Sequence, residues 1–386
     1  MLVQWRSPVY FGWLGFLGLG LAWGVFAILW ILTHDHSEVF NTTDLVPWGL
    51  GISLYVFLVL TSTGLTFVAS LYMVFGIETY RPIAKRAVFI AILALLAGFV
   101  VIGSDLGQPF RAINFMFSPN PTSAMWWMSL LYSIYLVVLV GKFWTIQTGR
   151  SDTQLGKVLG IATLISAIAA HSTLGAVFGF VIGRPAHFGA FMPVYFLLTA
   201  LFSGFGAIML FTLVTQAVSK QGIRDQMRGM MDHVAKHYAL VIALVSLFFT
   251  WRVIVTVYPG SEAAGYASLS HAVETYYWHI EVWLGFVLPL ILLGVPALRR
   301  KTWALVAAPV SALIGLFAGR MDLVLAGEYE PVLHGQWLPE FVKYTPSVWE
   351  WSYVILALSM SLVLYTVGEK VLGLADEPHA STSARA

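Results

Sequence analysis

Cysteine is absent from all 386 residues, and only 10% of the residues carry charge. Without thiolates the chain cannot ligate an iron–sulfur cluster or close a disulfide by itself. A water-exposed domain of this length would carry roughly a quarter charged residues. The scarcity of charge therefore excludes an ordinary soluble surface. Short alternating segments, the mark of a membrane β-barrel, are also missing.

What remains is apolar: 59% of the residues are hydrophobic. Uncharged stretches of about twenty residues or more recur from end to end, long enough at ~1.5 Å rise per residue to cross a ~30 Å hydrocarbon core. Ten spans are predicted, at about residues 9–32, 48–75, 87–104, 124–146, 156–183, 190–218, 237–258, 276–296, 302–326 and 347–372. All should be helical, because lipid-exposed backbone must satisfy its own hydrogen bonds. The expected fold is thus an all-α integral membrane protein of about ten transmembrane helices. Residues 1–375 would form one polytopic domain and 376–386 a short flexible cytoplasmic tail. The opening "MLVQWRSPVYFGWLGFLGLGLAWGVFAILWIL" is too long and aromatic for a cleaved signal peptide and reads as a retained first span.

Basic residues set the orientation. The face holding the N-terminus carries 16 of the 21 Lys and Arg residues, among them Arg81, Lys85, Arg86, Lys142 and Arg299–Lys301. By the positive-inside rule this face is cytoplasmic, with both termini inside a cytoplasmic (inner) membrane crossed many times. The opposite face has longer, acidic and aromatic loops suited to docking an external partner. On the cytoplasmic side, 219–236 reads as a short amphipathic surface helix.

Spans two and six share a pattern. Tyr55 and Gly64 are nine apart, as are Tyr195 and Gly204, and each glycine follows a hydroxyl residue, Thr63 or Ser203. The two spans run in the same direction, which allows a parallel repeat of two four-helix bundles with flanking helices.

Ionisable groups inside spans cost ~2.5–3.5 kcal/mol each on insertion scales and tend to mark function. Here they are Asp105, His171, Arg252, Glu281, Arg320 and Asp322, with Glu350 opening span ten. Counted along helices, they fall in the outer half of the membrane, His171 deepest at about 18 Å below the outer boundary. Each has a plain structural reading: an arginine near a helix end snorkels, opposite charges pair, and a lone histidine bonds a neighbouring hydroxyl such as Ser172. Taken together they suit a small lipophilic redox carrier. A quinone head group needs donors for its carbonyls and exchanges two protons per turnover. His171 is the side-chain type that donates near neutral pH, with Asp105 as a proton partner. Arg252, Glu281, Arg320 and Ser172 would complete the binding site. No metal site is expected. Haem b is not expected either, since His171 lacks a second imidazole at its depth. A transporter would also use buried charges and remains the rival reading, as does a membrane anchor that turns over no quinone.

The residues also resemble the NrfD/PsrC family of membrane subunits from polysulfide-reductase-type complexes. The likeness is to its ten-helix branch, which includes DsrP, HmcC and HybB. It rests on "PWGLGISLYVFLVLTSTG", "GSDLGQPFRAINFMFSPNPTSAMWW" and "HSTLGAVFGFVIGRPAHFGAFMPVYFLLTALFSG", with "HIEVW", "GR" at 319–320 and "TPSVWEW" further on. The resemblance implies a subunit of a multi-subunit respiratory complex, linked to sulfur metabolism and anaerobic respiration. It would exchange electrons between the quinone pool (menaquinone or ubiquinone) and a periplasmic ferredoxin-like iron–sulfur subunit. A multihaem cytochrome c and further membrane subunits are implied as partners; nucleic acid is not. Asp105, His171, Arg252, Glu281 and Arg320 fall where the branch keeps polar residues around its quinone site.

Overall fold

The computed structural model describes residues 8–218, 225–261, 265–331 and 340–374. The expected tail, 376–386, lies outside them. Ten helices are long and apolar enough to cross a membrane, and no strand occurs among the described residues. We label them α1 (Pro8–Ile31), α2 (Leu50–Met73), α3 (Arg81–Asp105), α4 (Ala124–Gln147) and α5 (Gln154–Gly179). Then follow α6 (Met192–Val218), α7 (Asp225–Val257), α8 (Tyr276–Gly294), α9 (Thr302–Ala326) and α10 (Val348–Leu372).

Three boundaries differ from the sequence reading. The segment 225–236 is no separate surface helix: it continues into α7, anchored by buried Met227, Met231, Val234 and Ala235. Residues 219–224 lie outside the described residues. Helix α3 starts well before residue 87, because Arg86 is buried in a 2.7 Å ion pair with Glu369 of α10. The half expected to face the cytoplasm therefore does hold a buried charge pair, which hydropathy hid by placing Arg86 in the loop. Helix α5 ends at Gly179 rather than near 183, which sets His171 about 12 Å from the helix end at helical rise.

Local signals start several helices. Ser123, Thr153 and Thr275 cap α4, α5 and α8 by accepting a backbone N–H. Ser347 and Glu350 form a reciprocal capping box on α10. Within α8, residues Glu281–Val287 form a π-helical turn, with the N–H of Leu288 donating to the carbonyl of Trp283. Pro289 follows. It has no N–H for the carbonyl of Gly285, and widening the turn accommodates its ring.

The helices pack as two four-helix bundles. In the first, α2 packs on α3 and α5, and α4 on α5 and α3. In the second, α6 packs on α7 and α9, and α8 on α9 and α7, the same pattern four helices later. The bundles join chiefly along α2 and α6, with α5 against α6 and α9 against α2 as matching side contacts. Helices α1 and α10 flank them as a pair. Gly20 and Gly24 of α1 sit on Ser359 and Leu356 of α10, and Trp23 Nε1 donates to Ser352 Oγ at 3.0 Å.

At the centre of the α2–α6 seam, Gly64 meets the backbone at Ala200 and Gly204, and Gly204 meets the backbone of Gly64. These are the two glycines of the Tyr/Gly echo. The parallel repeat is thus a packing fact, with the equivalent glycines face to face where a side chain would force the helices apart. Outside the membrane, the loops tie the bundles together. Arg184 Nη1 donates to the carbonyl of Gly327 at 2.9 Å, His187 Nε2 to that of Leu323 at 2.6 Å, and the N–H of Trp48 to Glu328 Oε2 at 3.1 Å.

Replacing Gly64 or Gly204 by alanine should lower the thermal midpoint of the purified chain, by the ~1–3 kcal/mol typical of overpacking. Gly12→Ala, which meets nothing within reach, should leave it unchanged. Equal melting of all three variants would contradict the seam. Burial also pushes the Glu328 carboxyl up to about 8, although the Trp48 N–H and nearby Arg184 favour its charged form. The folded chain holds this proton more tightly than the unfolded one, so its contribution is complete below the ordinary carboxylate range and lost as pH rises through about 8. The melting midpoint should therefore fall between acidic and mildly alkaline buffer, and Glu328→Gln should flatten that fall. A wild-type slope in the variant would remove Glu328 as its source.

Candidate functional site

The residues singled out by depth separate into three groups. The first centres on His171 of α5, which is fully buried. Its Nδ1 is within hydrogen-bond distance of Thr63 Oγ1 from α2 (2.8 Å) and of the Tyr132 hydroxyl from α4 (2.9 Å). Ring orientation is thereby set by two helices. Nε2 is buried and has no partner among the described residues. An imidazole nitrogen without a partner in hydrocarbon is costly. Here it presents a polar atom to whatever occupies the space beyond. Ser172, next along α5, is half-buried and is not among the partners of His171.

Below His171 the hydroxyls continue. Tyr135 OH lies 3.0 Å from Ser62 Oγ and 2.7 Å from Thr66 Oγ1, and Ser70 Oγ donates to the carbonyl of Thr66. All five of Ser62, Thr63, Thr66, Ser70 and Tyr135 are buried, and the four on α2 run toward its C-terminal end. The sequence showed no such polar trail, because serine and threonine inside an apolar helix usually bond their own backbone.

The second group lies in the second bundle: Arg252 of α7, Glu281 of α8, and Arg320 and Asp322 of α9. Glu281 is 4% exposed and Arg320 and Asp322 are 1% exposed. Gly319 makes room for the Glu281 carboxylate, and Gly315 for the backbone at Gly285. The Arg320 guanidinium stacks over Phe196 (5.3 Å to the ring centroid) and Tyr195 (5.8 Å) of α6. Glu281 and Asp322 face Arg252 within electrostatic reach. Yet among the described residues none of these four charges forms an ion pair within 4.0 Å. The Arg320 Nε and both Asp322 oxygens are buried without a hydrogen bond. Arg320 is also the charged side chain within electrostatic reach of His171, so the first two groups adjoin across α6.

Asp105 belongs to a third group, at the C-terminal end of α3. Its carboxylate covers Gly51 of α2, and its charged neighbour is Glu350 of α10. Glu350 is fully buried and accepts from the N–H of Ser347 (2.7 Å), the N–H of Asn41 (3.2 Å) and the Tyr344 hydroxyl. Tyr344 in turn accepts from the N–H of Leu50 (2.8 Å), and Tyr353 donates to the carbonyl of Ser104 (3.0 Å). The Tyr344 phenol is pushed well up by burial and by Glu350, so it stays a donor.

Sequence depth thus found His171, Arg252, Glu281 and Arg320 as neighbours across two bundles, and separated neither the bundles nor Asp105. It passed over Thr63, Tyr132, Tyr344 and the weight of Asp322. Thr63 was visible in the Tyr/Gly echo; Tyr132 carried no signal, since tyrosine is ordinary in a membrane helix. No group of three or more His, Cys, Asp or Glu side chains placed to hold a metal occurs among the described residues.

Comparison with known proteins agrees with this architecture. The family model described as "Polysulphide reductase, NrfD" matches residues 38–331. The "Hdr-like menaquinol oxidoreductase integral membrane subunit" of Archaeoglobus fulgidus is 26% identical, over 89% of each chain. The "Menaquinone reductase, integral membrane subunit" of Nitratidesulfovibrio vulgaris is 21% identical, over 90% of each. The "Protein NrfD" of Escherichia coli is 24% identical, over 76% of this chain and 98% of that one. With its ten membrane helices and this match across both bundles, the chain belongs to the NrfD family of integral membrane proteins.

Proposed function

We propose that this chain is the quinone-reactive membrane subunit of a multi-subunit respiratory oxidoreductase. It exchanges electrons between the quinone pool and a periplasmic iron–sulfur subunit, in a chain linked to sulfur metabolism. One observation carries the reading: fully buried His171 has its Nδ1 held by Thr63 and Tyr132 while Nε2 is left without a partner. Two relatives are named for menaquinol or menaquinone, which favours menaquinone as the pool molecule. The absence of cysteine fits a subunit that passes electrons to a partner's cluster.

In this reading His171 Nε2 hydrogen-bonds one oxygen of the head group. When bound, the quinone supplies a two-electron, two-proton couple. Thr63 and Tyr132 keep the ring aimed and exchange protons with Nδ1, so a proton gained at one ring nitrogen can leave from the other. Asp105 and Glu350 stand at the outer mouth, where protons would exchange with the periplasm. Arg252, Glu281 and Arg320 lie across α6 in the second bundle, with Arg320 within electrostatic reach of His171, and the basic face lies in the cytoplasm.

A second reading, proton movement across the membrane, is favoured by the buried hydroxyls from Thr63 to Ser70 and by the Arg86–Glu369 pair beyond them. It requires acidification or alkalinisation of liposomes holding the chain, with or without redox turnover.

Menaquinol oxidation by the intact complex tests the main reading. His171→Ala should lower kcat by ~100-fold or more, the usual contribution of a positioned proton-transfer group. Thr63→Val and Tyr132→Phe should each cost a few-fold to about tenfold, the worth of one hydrogen bond. Wild-type turnover in His171→Ala would end the assignment.

A further inference from the structure

The two bundles share helix order and packing, and several of their residues correspond at fixed sequence offsets. Tyr132 and His171 lie on α4 and α5; Glu281 and Arg320 lie on α8 and α9, and each comes 149 positions later, 132 to 281 and 171 to 320. On the leading helices, Tyr55, Thr63 and Gly64 of α2 correspond to Tyr195, Ser203 and Gly204 of α6, all 140 positions later. Gly64 and Gly204 touch at the seam. Glu281 and Arg320 therefore occupy in the second bundle the places that Tyr132 and His171 occupy in the first.

The likeness extends to what is left unsatisfied. Among the buried atoms without a partner are His171 Nε2 in the first bundle and, in the second, Arg320 Nε and both oxygens of Asp322, with the Thr275 hydroxyl close to the latter; single atoms of Arg86 and Tyr238 are also unmatched. Glu281, only 4% exposed, has its carboxylate against Gly319 of α9. Two arginines and two carboxylates balance in charge and could have closed into ion pairs, but none is within 4.0 Å. Leaving the buried Glu281, Arg320 and Asp322 bare in hydrocarbon would cost several kcal/mol each, so a polar occupant between them would be strongly stabilising.

We infer that the second bundle holds its own site for a quinone-class head group, a duplicate of the site at His171, with different side chains in the same places. The inference rests on the reading that the first bundle binds quinone. The chemistry of the second site suits such a ligand in both redox states. The Arg320 guanidinium offers N–H donors to a carbonyl oxygen, and Glu281 and Asp322 accept from the hydroxyls of a quinol. Phe196 and Tyr195 hold the guanidinium flat from one side. Phe249, Trp278 and Phe286 supply an aromatic wall between α7 and α8, with ring centroids 4.9 and 5.2 Å from Phe249. The π-turn starting at Glu281 displaces the carboxylate from regular helical register, a distortion common at functional sites. Binding alone is proposed, with no electron transfer at this site.

Equilibrium binding of a short-tailed menaquinone to the purified full-length chain in nanodiscs is the test, read by quenching of the tryptophans and by the amount retained per chain. The wild type should bind two equivalents. His171→Leu should bind one, Glu281→Gln one, and the double variant none. Asp322→Asn, a second near-isosteric change, should weaken the same equivalent as Glu281→Gln, with melting midpoints showing that each variant is folded. One equivalent in the wild type, removed by His171→Leu and kept in Glu281→Gln, overturns the second site; one equivalent removed by Glu281→Gln and kept in His171→Leu overturns the quinone reading at His171 and with it the duplication. Two equivalents that both survive Glu281→Gln and Asp322→Asn overturn it as well and leave water between the charges. A wild type that binds none overturns the quinone reading itself.

Discussion

A polar group inside hydrocarbon must find a partner or cost several kcal/mol, and this constraint organises the whole molecule. Most of its buried polar groups comply. Arg86 pairs with Glu369, Lys142 donates to the carbonyl of Gly156 and to Ser151, and Glu350 takes three donors at the head of α10. His171, Arg320 and Asp322 do not comply and adjoin across α6, whereas the other breaches among the described residues are single atoms of Arg86, His187, Tyr238, Ser361 and Glu369, most of whose other polar atoms are matched. Where most buried charges are matched, a local cluster of breaches reads as a place kept open for something polar.

The duplicated bundle explains where the breaches fall. Gly64 and Gly204 let α2 and α6 come into backbone contact, and this seam sets the depth at which the other helices of each bundle present their side chains. Thr63 reaches His171 because it directly precedes the seam glycine. Gly319 and Gly315 do comparable work in the second bundle by admitting Glu281 and the backbone of α8. The outer loops then lock the two halves, with Arg184, His187 and Glu328 bonding across them.

Much of this was legible beforehand. Ten spans and the division into two bundles followed from apolar length and from the Tyr/Gly echo. The positions of Arg252, Glu281 and Arg320 along their helices followed from helical rise, whereas His171 lies about 12 Å rather than about 18 Å from its helix end. The site was legible only as a list. Depth along a helix says nothing of azimuth, so Asp105 was grouped with His171 although it faces Gly51 and Glu350. Tyr132 was invisible because its role depends on which way α4 is turned. Arg86 was misplaced for a related reason: a window average sees a charge near a helix end as loop, whereas Glu369 of a distant helix buries it.

By itself, then, the sequence determined the solvent and the number of crossings, because these depend on the transfer of side chains along one chain from water to lipid. Which groups meet was decided only by tertiary structure. Hydrogen bonds and ion pairs act within a few ångströms, and the rotation and approach of α2, α4, α5 and α6 about the glycine seam determine whether His171 has two partners or none.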